Sequence, residues 1–251
     1  MNAIIIAAGS GIRLGKLTKK IPKSMLKVNG KSILERQVEL FKKHGIKNVF
    51  VITGPNSKKF DLKNIFYIKD ENYQKHDILE SLMVAKNNIK NDIIISYSDI
   101  IIEEKILIDI VKSIHDIGVV VDLNWKKAYN DRKNHPLSEA ENVMIKNGEI
   151  KKIKKNISEY GKNEKIGEFL GLIKLSNKGS KILVKQYVKL KKTHVGKFQN
   201  ANNLDKAYLT DIIQELIDNN FKISPIEING KWCEIDTEED LEKAKNIFHE
   251  N

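Results

Sequence analysis

The 251-residue chain has a single cysteine, Cys233. That excludes an intramolecular disulfide and a cysteine-built zinc site. Arginine is scarce as well: Arg13, Arg36 and Arg132 are the only three, within a net charge of +11. The positive excess is therefore almost all lysine, scattered along the chain as on solvated helix faces. A protein that reads DNA bases uses arginine forks on guanine, and this chain has few to offer. Nucleic acid is not an expected partner. Long apolar runs are missing too: Ala3 to Ala8 and Ile93 to Ile95 are strand-length and far short of a membrane span. No Pro- or Ser-rich linker and no solenoid-type repeat divides the chain. Met1 leads almost directly into an expected strand, so no cleavable signal peptide is expected. With 41% hydrophobic residues, a chain of this length buries a core unaided. The expectation is a cytoplasmic enzyme of one domain.

What is present is an alternation of strand and helix. Ala3 to Ala7 has the continuous apolar character of a strand covered on both faces. Ser32 to Lys43 reads as a helix with Ser32 as cap and Glu35 completing a capping box, and Gly45 suits its end. Strands are expected at Asn48 to Thr53, Phe66 to Lys69, Asp92 to Tyr97 and Val119 to Leu123. A helix from Asp77 to Ile89 is expected to be capped by Asp77. Asn147-Gly148 and Asn229-Gly230 both look like type I′ hairpin turns. Ile166 to Leu175 reads as a further strand, and Asn177 to Leu190 as a helix. Tyr208 to Asn219 fits either a subunit-contact helix of a homodimer or a core helix. A last helix starts at Thr237, with Asp240 at the capping-box position. The pattern predicts an α/β fold: a doubly wound, mostly parallel, Rossmann-like sheet with an antiparallel addition on the substrate side. Residues 1–251 are expected to form one domain, with a nucleotide-binding half (1–121) and an acceptor-binding half (122–251).

The first strand runs into Ala7-Ala8-Gly9-Ser10-Gly11-Ile12-Arg13-Leu14-Gly15. Glycines let backbone N–H groups approach phosphate oxygens, and open α/β sheets bind ligands at the carboxyl ends of their strands. The spacing fails the dinucleotide fingerprint, because Leu14 stands where the third glycine belongs. It also fails the P-loop, because Leu17 follows Lys16 where Ser or Thr would hold magnesium. The glycines alone would equally suit a tight strand-to-helix turn.

Beyond them come Arg13-Leu14, Thr18 and Pro22-Lys23. The stretch A-A-G-x-G-x-R-L, then T, then P-K resembles the signature of sugar-nucleotide and related nucleotidyltransferases. The resemblance implies the nucleotide-diphospho-sugar transferase fold, a loop from Ala7 to Gly11 around a triphosphate, and Arg13 and Lys23 as catalytic cations. Such cations lower the barrier by stabilising charge that grows at the α-phosphorus and on departing pyrophosphate. An already ionised phosphate or phosphonate needs no general base.

Magnesium takes one or two carboxylates and completes its shell with phosphates and water. Asp99 follows a strand, and Asp236 lies in Trp232-Cys233-Glu234-Ile235-Asp236-Thr237 before the last helix. Taken alone, Asp99 is also a strand-end turn residue and Asp236 a helix-start charge. The resemblance makes both of them ligands of magnesium (Mg2+), with one departure: Ser98 precedes Asp99 where the family commonly has glycine.

Asn72-Tyr73, Asp77, Ser81-Leu82 and Ala85 resemble a segment of cytidylyltransferases that act on small phosphorylated headgroups. By that likeness Ser81 contacts the base; it also suits a helix serine tucked against a strand. The stretch from Asp122 through Trp125, Tyr129, Arg132 and His135 to Glu141, joined by Glu168, is dense in functional side chains. Arg132 with His135 suits an anionic phosphoryl group, and Asp122, Trp125 and Glu141 suit an ammonium. This cluster resembles cytidylyltransferases for phosphocholine and for phosphonates such as 2-aminoethylphosphonate. The expected partners are CTP and a small phosphate or phosphonate acceptor. The alternatives are a uridylyl- or thymidylyltransferase for a sugar 1-phosphate and, from another class, a non-catalytic nucleotide or nucleic-acid binder.

Overall fold

The computed structural model describes residues 1–9, 11–129, 132 and 136–249. Its elements run β1 (Asn2–Ala7), β2 (Lys27–Val28), β3 (Lys31–Ser32), α1 (Ile33–Lys43), β4 (Asn48–Thr53), β5 (Phe66–Lys69) and α2 (Ile78–Val84). There follow β6 (Ile93–Tyr97), β7 (Ile100–Ile102), α3 (Glu104–Lys112), β8 (Ile117–Asp122), β9 (Glu141–Lys146), β10 (Glu149–Lys155) and β11 (Lys165–Leu175). The chain closes with α4 (Asn177–Thr193), α5 (Leu209–Asp218), β12 (Ser224–Glu227), β13 (Trp232–Glu234) and α6 (Glu238–Ile247).

A nine-stranded sheet has the order β10-β9-β11-β6-β1-β4-β5, with β8 on β11 and β12 on β8. β1 is parallel to β4 and β6, and β4 to β5. β11 runs antiparallel to β6, β8 and β9. This is the expected parallel core with an antiparallel addition. Successive β1 side chains enter opposite cores, as strand geometry requires. Ile4 and Ile6 pack with Leu79, Leu82, Leu183 and Ile212. Ala3, Ile5 and Ala7 pack with Leu34, Val38, Phe41 and Ile106 on the other face. Helices thus cover both sides of the parallel strands, which explains why β1 has no polar alternation. Leu209, Ile212, Ile213 and Leu216 bury α5 in the first of these cores.

Both capping boxes are present. Ser32 and Glu35 close the start of α1 reciprocally, and Thr237 and Asp240 close that of α6. Asn147 and Gly148 take φ of 54° and 72° and join β9 to β10 as a hairpin. Two expectations fail. Asn229-Gly230 does not close a hairpin: β12 pairs in parallel with β8, whereas β13 pairs antiparallel with β7 in a separate two-stranded sheet. Neither residue has the positive φ a type I′ turn needs. The helix after Asp77 is shorter than its periodicity suggests, ending at Val84 before a 3-10 turn at Lys86–Asn88. Two asparagines, poor helix formers that favour local backbone bonds, fall in that turn. The Asp77 side chain makes no capping bond.

Candidate active site

The parallel strands end together, and the site is built on those ends. The end of β4 is pressed against that of β1: a Cβ on Gly54 would lie 2.4 Å from the Ala8 carbonyl oxygen. Beyond β1 the chain turns at Gly11, with φ of 63°. There a Cβ would crowd Lys23 and Thr18 at 3.1 Å. Thr18 Oγ1 donates to the Gly11 carbonyl at 2.8 Å, tying the loop back on itself. Pro22, in an extended conformation, then starts the short turn Lys23–Met25. The threonine, proline and lysine of the N-terminal signature therefore shape one loop.

That loop aims Lys23 at two carboxylates. Its Nζ donates to Asp99 Oδ2 at 2.7 Å and to Asp236 Oδ1. Arg13, largely exposed, lies 2.9 Å from the other Asp236 oxygen. Burial works against the Lys23 charge, but Asp99, Asp236 and Glu234 outweigh it and hold the ammonium above its ordinary range.

Asp99, Glu234 and Asp236 each bring an oxygen to within 4.8 Å of the others. Backbone pairing produces this convergence: β13 lies beside β7, and the Ile235 N–H donates to the Asp99 carbonyl at 2.9 Å. Glu234 was not singled out from the sequence. Its signal was the spacing of two from Asp236, which puts both on one side of an extended segment. Burial first, then Asp236 and Asp99, push the Glu234 carboxyl well above its usual value. Asp99 Oδ1 is buried without a hydrogen-bond partner among the described residues. Converging hard oxygen donors, one of them unsatisfied, suit a divalent cation such as magnesium. Asp236 is steadied from behind, where Asp240 Oδ2 accepts from the Asp236 and Thr237 N–H groups at 3.1 and 2.9 Å.

A cavity of about 730 Å³ opens from this cluster, a size usual for small-ligand sites. Ala8, Gly9, Gly11, Tyr73, His76 and Ser81 are among the residues that line it. So are Tyr97, Tyr129, Glu141, Glu168, Phe169 and Trp232. Burial pushes Glu141 up to about 7 and Glu168 up to about 8. Glu141 accepts from Thr210 Oγ1 at 3.2 Å, and Glu168 Oε1 accepts a short bond from the Tyr129 hydroxyl. Glu168 Oε2 is buried with no partner among the described residues.

The acceptor candidates divide. Tyr129, Glu141 and Glu168 line the cavity, whereas Asp122, Trp125 and Arg132 stand behind its wall. Asp122 accepts from Trp232 Nε1 at 2.9 Å and from the Asn124 N–H at 2.7 Å. Trp125 packs edge-on to Tyr129, their centroids 5.7 Å apart. Arg132 lies over the Tyr129 ring and donates to Asp240 Oδ1 at 2.7 Å. Among the loop candidates Ala8, Gly9 and Gly11 face the cavity, while Ala7 belongs to the core under α1. Ser10 and His135 lie outside the described residues. Tyr97, Lys155 and His76 also line the cavity; sequence reading did not select them, and only the folding of β5, β6 and β10 places them there.

A glycine-rich turn at the end of the first parallel strand, a lysine held between acids, and a mixed, mostly parallel sheet define a nucleotidyltransferase. The chain belongs to the family of the MobA-like NTP transferase domain, which matches residues 3–138. It is 31% identical to a CTP:phosphoglutamine cytidylyltransferase of Campylobacter jejuni, over 96% of this chain and 98% of that protein. In three dimensions it is similar to the CTP:phosphocholine cytidylyltransferase of Streptococcus pneumoniae, with TM-score 0.72, 19% identity and 98% of each chain covered. The inositol-1-phosphate CTP transferase of T. maritima gives TM-score 0.73 at 18% identity, over 98% of this chain and 94% of that one. These two likenesses concern the fold.

Proposed function

We propose that this enzyme transfers CMP from CTP to a small phosphate or phosphonate that also carries a positively charged nitrogen, releasing pyrophosphate. The observation that carries the reading is that the Lys23 cluster shares one cavity with Glu141, Glu168 and several aromatic rings. An ammonium is a group such a lining can accommodate, because ring faces attract it and its charge would favour ionisation of the buried Glu141 and Glu168 carboxyls. The near full-length likeness to a CTP-using enzyme supports the choice of nucleotide.

In this reading the backbone of Ala8, Gly9 and Gly11 cradles the triphosphate. An oxygen of the acceptor's ionised phosphate or phosphonate attacks the α-phosphorus. The bond from that phosphorus to the bridging oxygen breaks, and the electron pair leaves with pyrophosphate. Lys23, already charged and ordered, stabilises the negative charge that builds on the phosphoryl oxygens. Arg13, at the open rim, neutralises the outer phosphates. Asp99, Glu234 and Asp236 would hold magnesium. Bound there, the ion would offset phosphate charge and align the two reactants. Glu141, Glu168 and Tyr129 select the headgroup.

The test is pyrophosphate release measured with each of four nucleoside triphosphates against phosphocholine, phosphoglutamine, 2-aminoethylphosphonate and glucose 1-phosphate. Turnover with CTP and an amine-bearing acceptor supports the proposal. Turnover with UTP or dTTP and glucose 1-phosphate moves the chain to the sugar-nucleotide branch and ends it.

A further inference from the structure

The part of the cavity wall formed by Ser81 and His76 is backed by a buried carboxylate that the proposed transfer does not use. Asp70 follows β5 and is 1% exposed. Its Oδ1 accepts from the Asn72 N–H at 3.0 Å. Its Oδ2 accepts from the Ser81 hydroxyl at 2.7 Å and from His76 Nε2 at 2.8 Å. Ser81 and His76 line the cavity, and Asp70 stands behind them.

A serine hydroxyl has one proton and two lone pairs, while a carboxylate only accepts. The Ser81 proton is therefore committed to Asp70, and Ser81 can offer the cavity nothing but a lone pair. The same oxygen fixes the His76 ring, with Nε2 as donor. We propose that Asp70 is a positioning residue that sets base specificity: by holding the Ser81 proton it makes this wall a hydrogen-bond acceptor. Such a wall takes a pyrimidine with an amino group and rejects one with a carbonyl at that place. Cytosine and uracil differ in this respect, as a 4-amino against a 4-oxo group. A carbonyl there would face a lone pair, and an unpaired polar contact of this kind separates ligands by about ten- to a hundredfold. The inference rests on the reading of this cavity as a nucleotide site.

Equilibrium binding of CTP and UTP, each with magnesium, to the wild type, Ser81→Ala and Asp70→Asn tests it without knowledge of the acceptor. The wild type should prefer CTP by about tenfold or more. Ser81→Ala should bring the two affinities together through loss of CTP binding. Asp70→Asn, whose amide donates, should release the Ser81 proton toward the cavity, so that UTP binds more tightly and CTP less. Ser81→Ala improves local helix propensity and keeps the test decisive even where Asp70→Asn unfolds. If CTP and UTP weaken by the same factor in every folded variant, Asp70 only shapes the wall and the proposal falls. It falls equally if the wild type binds CTP and UTP alike. A wild type that binds neither nucleotide removes the underlying site assignment instead.

Discussion

Lys23 Nζ lies 2.7 Å from Asp99 Oδ2, joining the N-terminal loop to the end of β6 across 76 residues. The same ammonium reaches Asp236, so one cation draws together three distant stretches of chain. Replacing it removes a charge that the scheme places beside the reacting phosphorus. Lys23→Ala should lower turnover by at least about a hundredfold, the scale of losing one preorganised stabilising group. Steady-state pyrophosphate release checks this, with circular dichroism to confirm the fold; unchanged release would remove Lys23 from catalysis.

Metal binding should be visible without substrate. Asp99, Glu234 and Asp236 repel one another, and a divalent cation among them relieves that repulsion. Millimolar magnesium should therefore raise the melting temperature, as any ligand selective for the folded state does. Glu234→Gln should weaken the midpoint of that shift by about tenfold or more, the scale on which metal sites respond even to outer-shell changes. A melting curve indifferent to magnesium would argue against the site.

The buried acids make stability depend on pH. Glu168 is pushed up to about 8 by burial and Glu141 to about 7, against unfolded values of about 4.3. A carboxyl raised on folding binds its proton more tightly in the native state. Its stabilisation is complete below the unfolded value and is lost as pH rises through the folded one. Wild-type stability should thus decline between about pH 5 and pH 9. Glu168→Gln should flatten that decline by on the order of 4 kcal/mol. Urea titrations across this range measure it, and parallel curves for the two proteins would contradict it.

Gly171 has φ of 71°, and a Cβ there would lie 2.3 Å from the Tyr97 ring. Both the backbone and the contact oppose substitution. Gly171→Ala should cost about 2 kcal/mol or more. It should also impair acceptor binding, since Tyr97 lines the cavity. Unfolding midpoints and acceptor KM check the two effects separately.

Asp240 Oδ1 accepts from Arg132, and its Oδ2 from the Asp236 and Thr237 N–H groups and the Thr237 hydroxyl. Asp240→Ala should destabilise by about 3 kcal/mol, as loss of one member of a buried ion pair does. Its effect on turnover should follow from a loosened Asp236. A variant as stable as the wild type would show the network to be dispensable.

Local signals survived folding best. Ser32 with Glu35 and Thr237 with Asp240 cap their helices because a capping box involves only four neighbouring residues. β4 and β5 begin and end where their apolar runs do. Lys23 and Asp99 were readable because the loop signature and the strand end mark them locally. Asn229-Gly230 misled because a turn dipeptide does not show which sheet the following strand will join. Asp122, Trp125 and Arg132 look functional in one dimension, yet Asp122 and Arg132 are engaged by Trp232 and Asp240, and the Trp125 ring packs against Tyr129. Glu234 and Asp70 gain their site contacts only from neighbours that folding brings up, which spacing does not reveal.

The proposed joining of CTP to an amine-bearing phosphate or phosphonate in this cavity stands or falls on one assay. The most direct measurement is pyrophosphate release by the wild type and Lys23→Ala, with magnesium, in the matrix of four nucleotides and four acceptors. Release with CTP and an amine-bearing acceptor, abolished in Lys23→Ala, is the expected result. Release confined to UTP or dTTP with glucose 1-phosphate, or equal in both proteins, would contradict it.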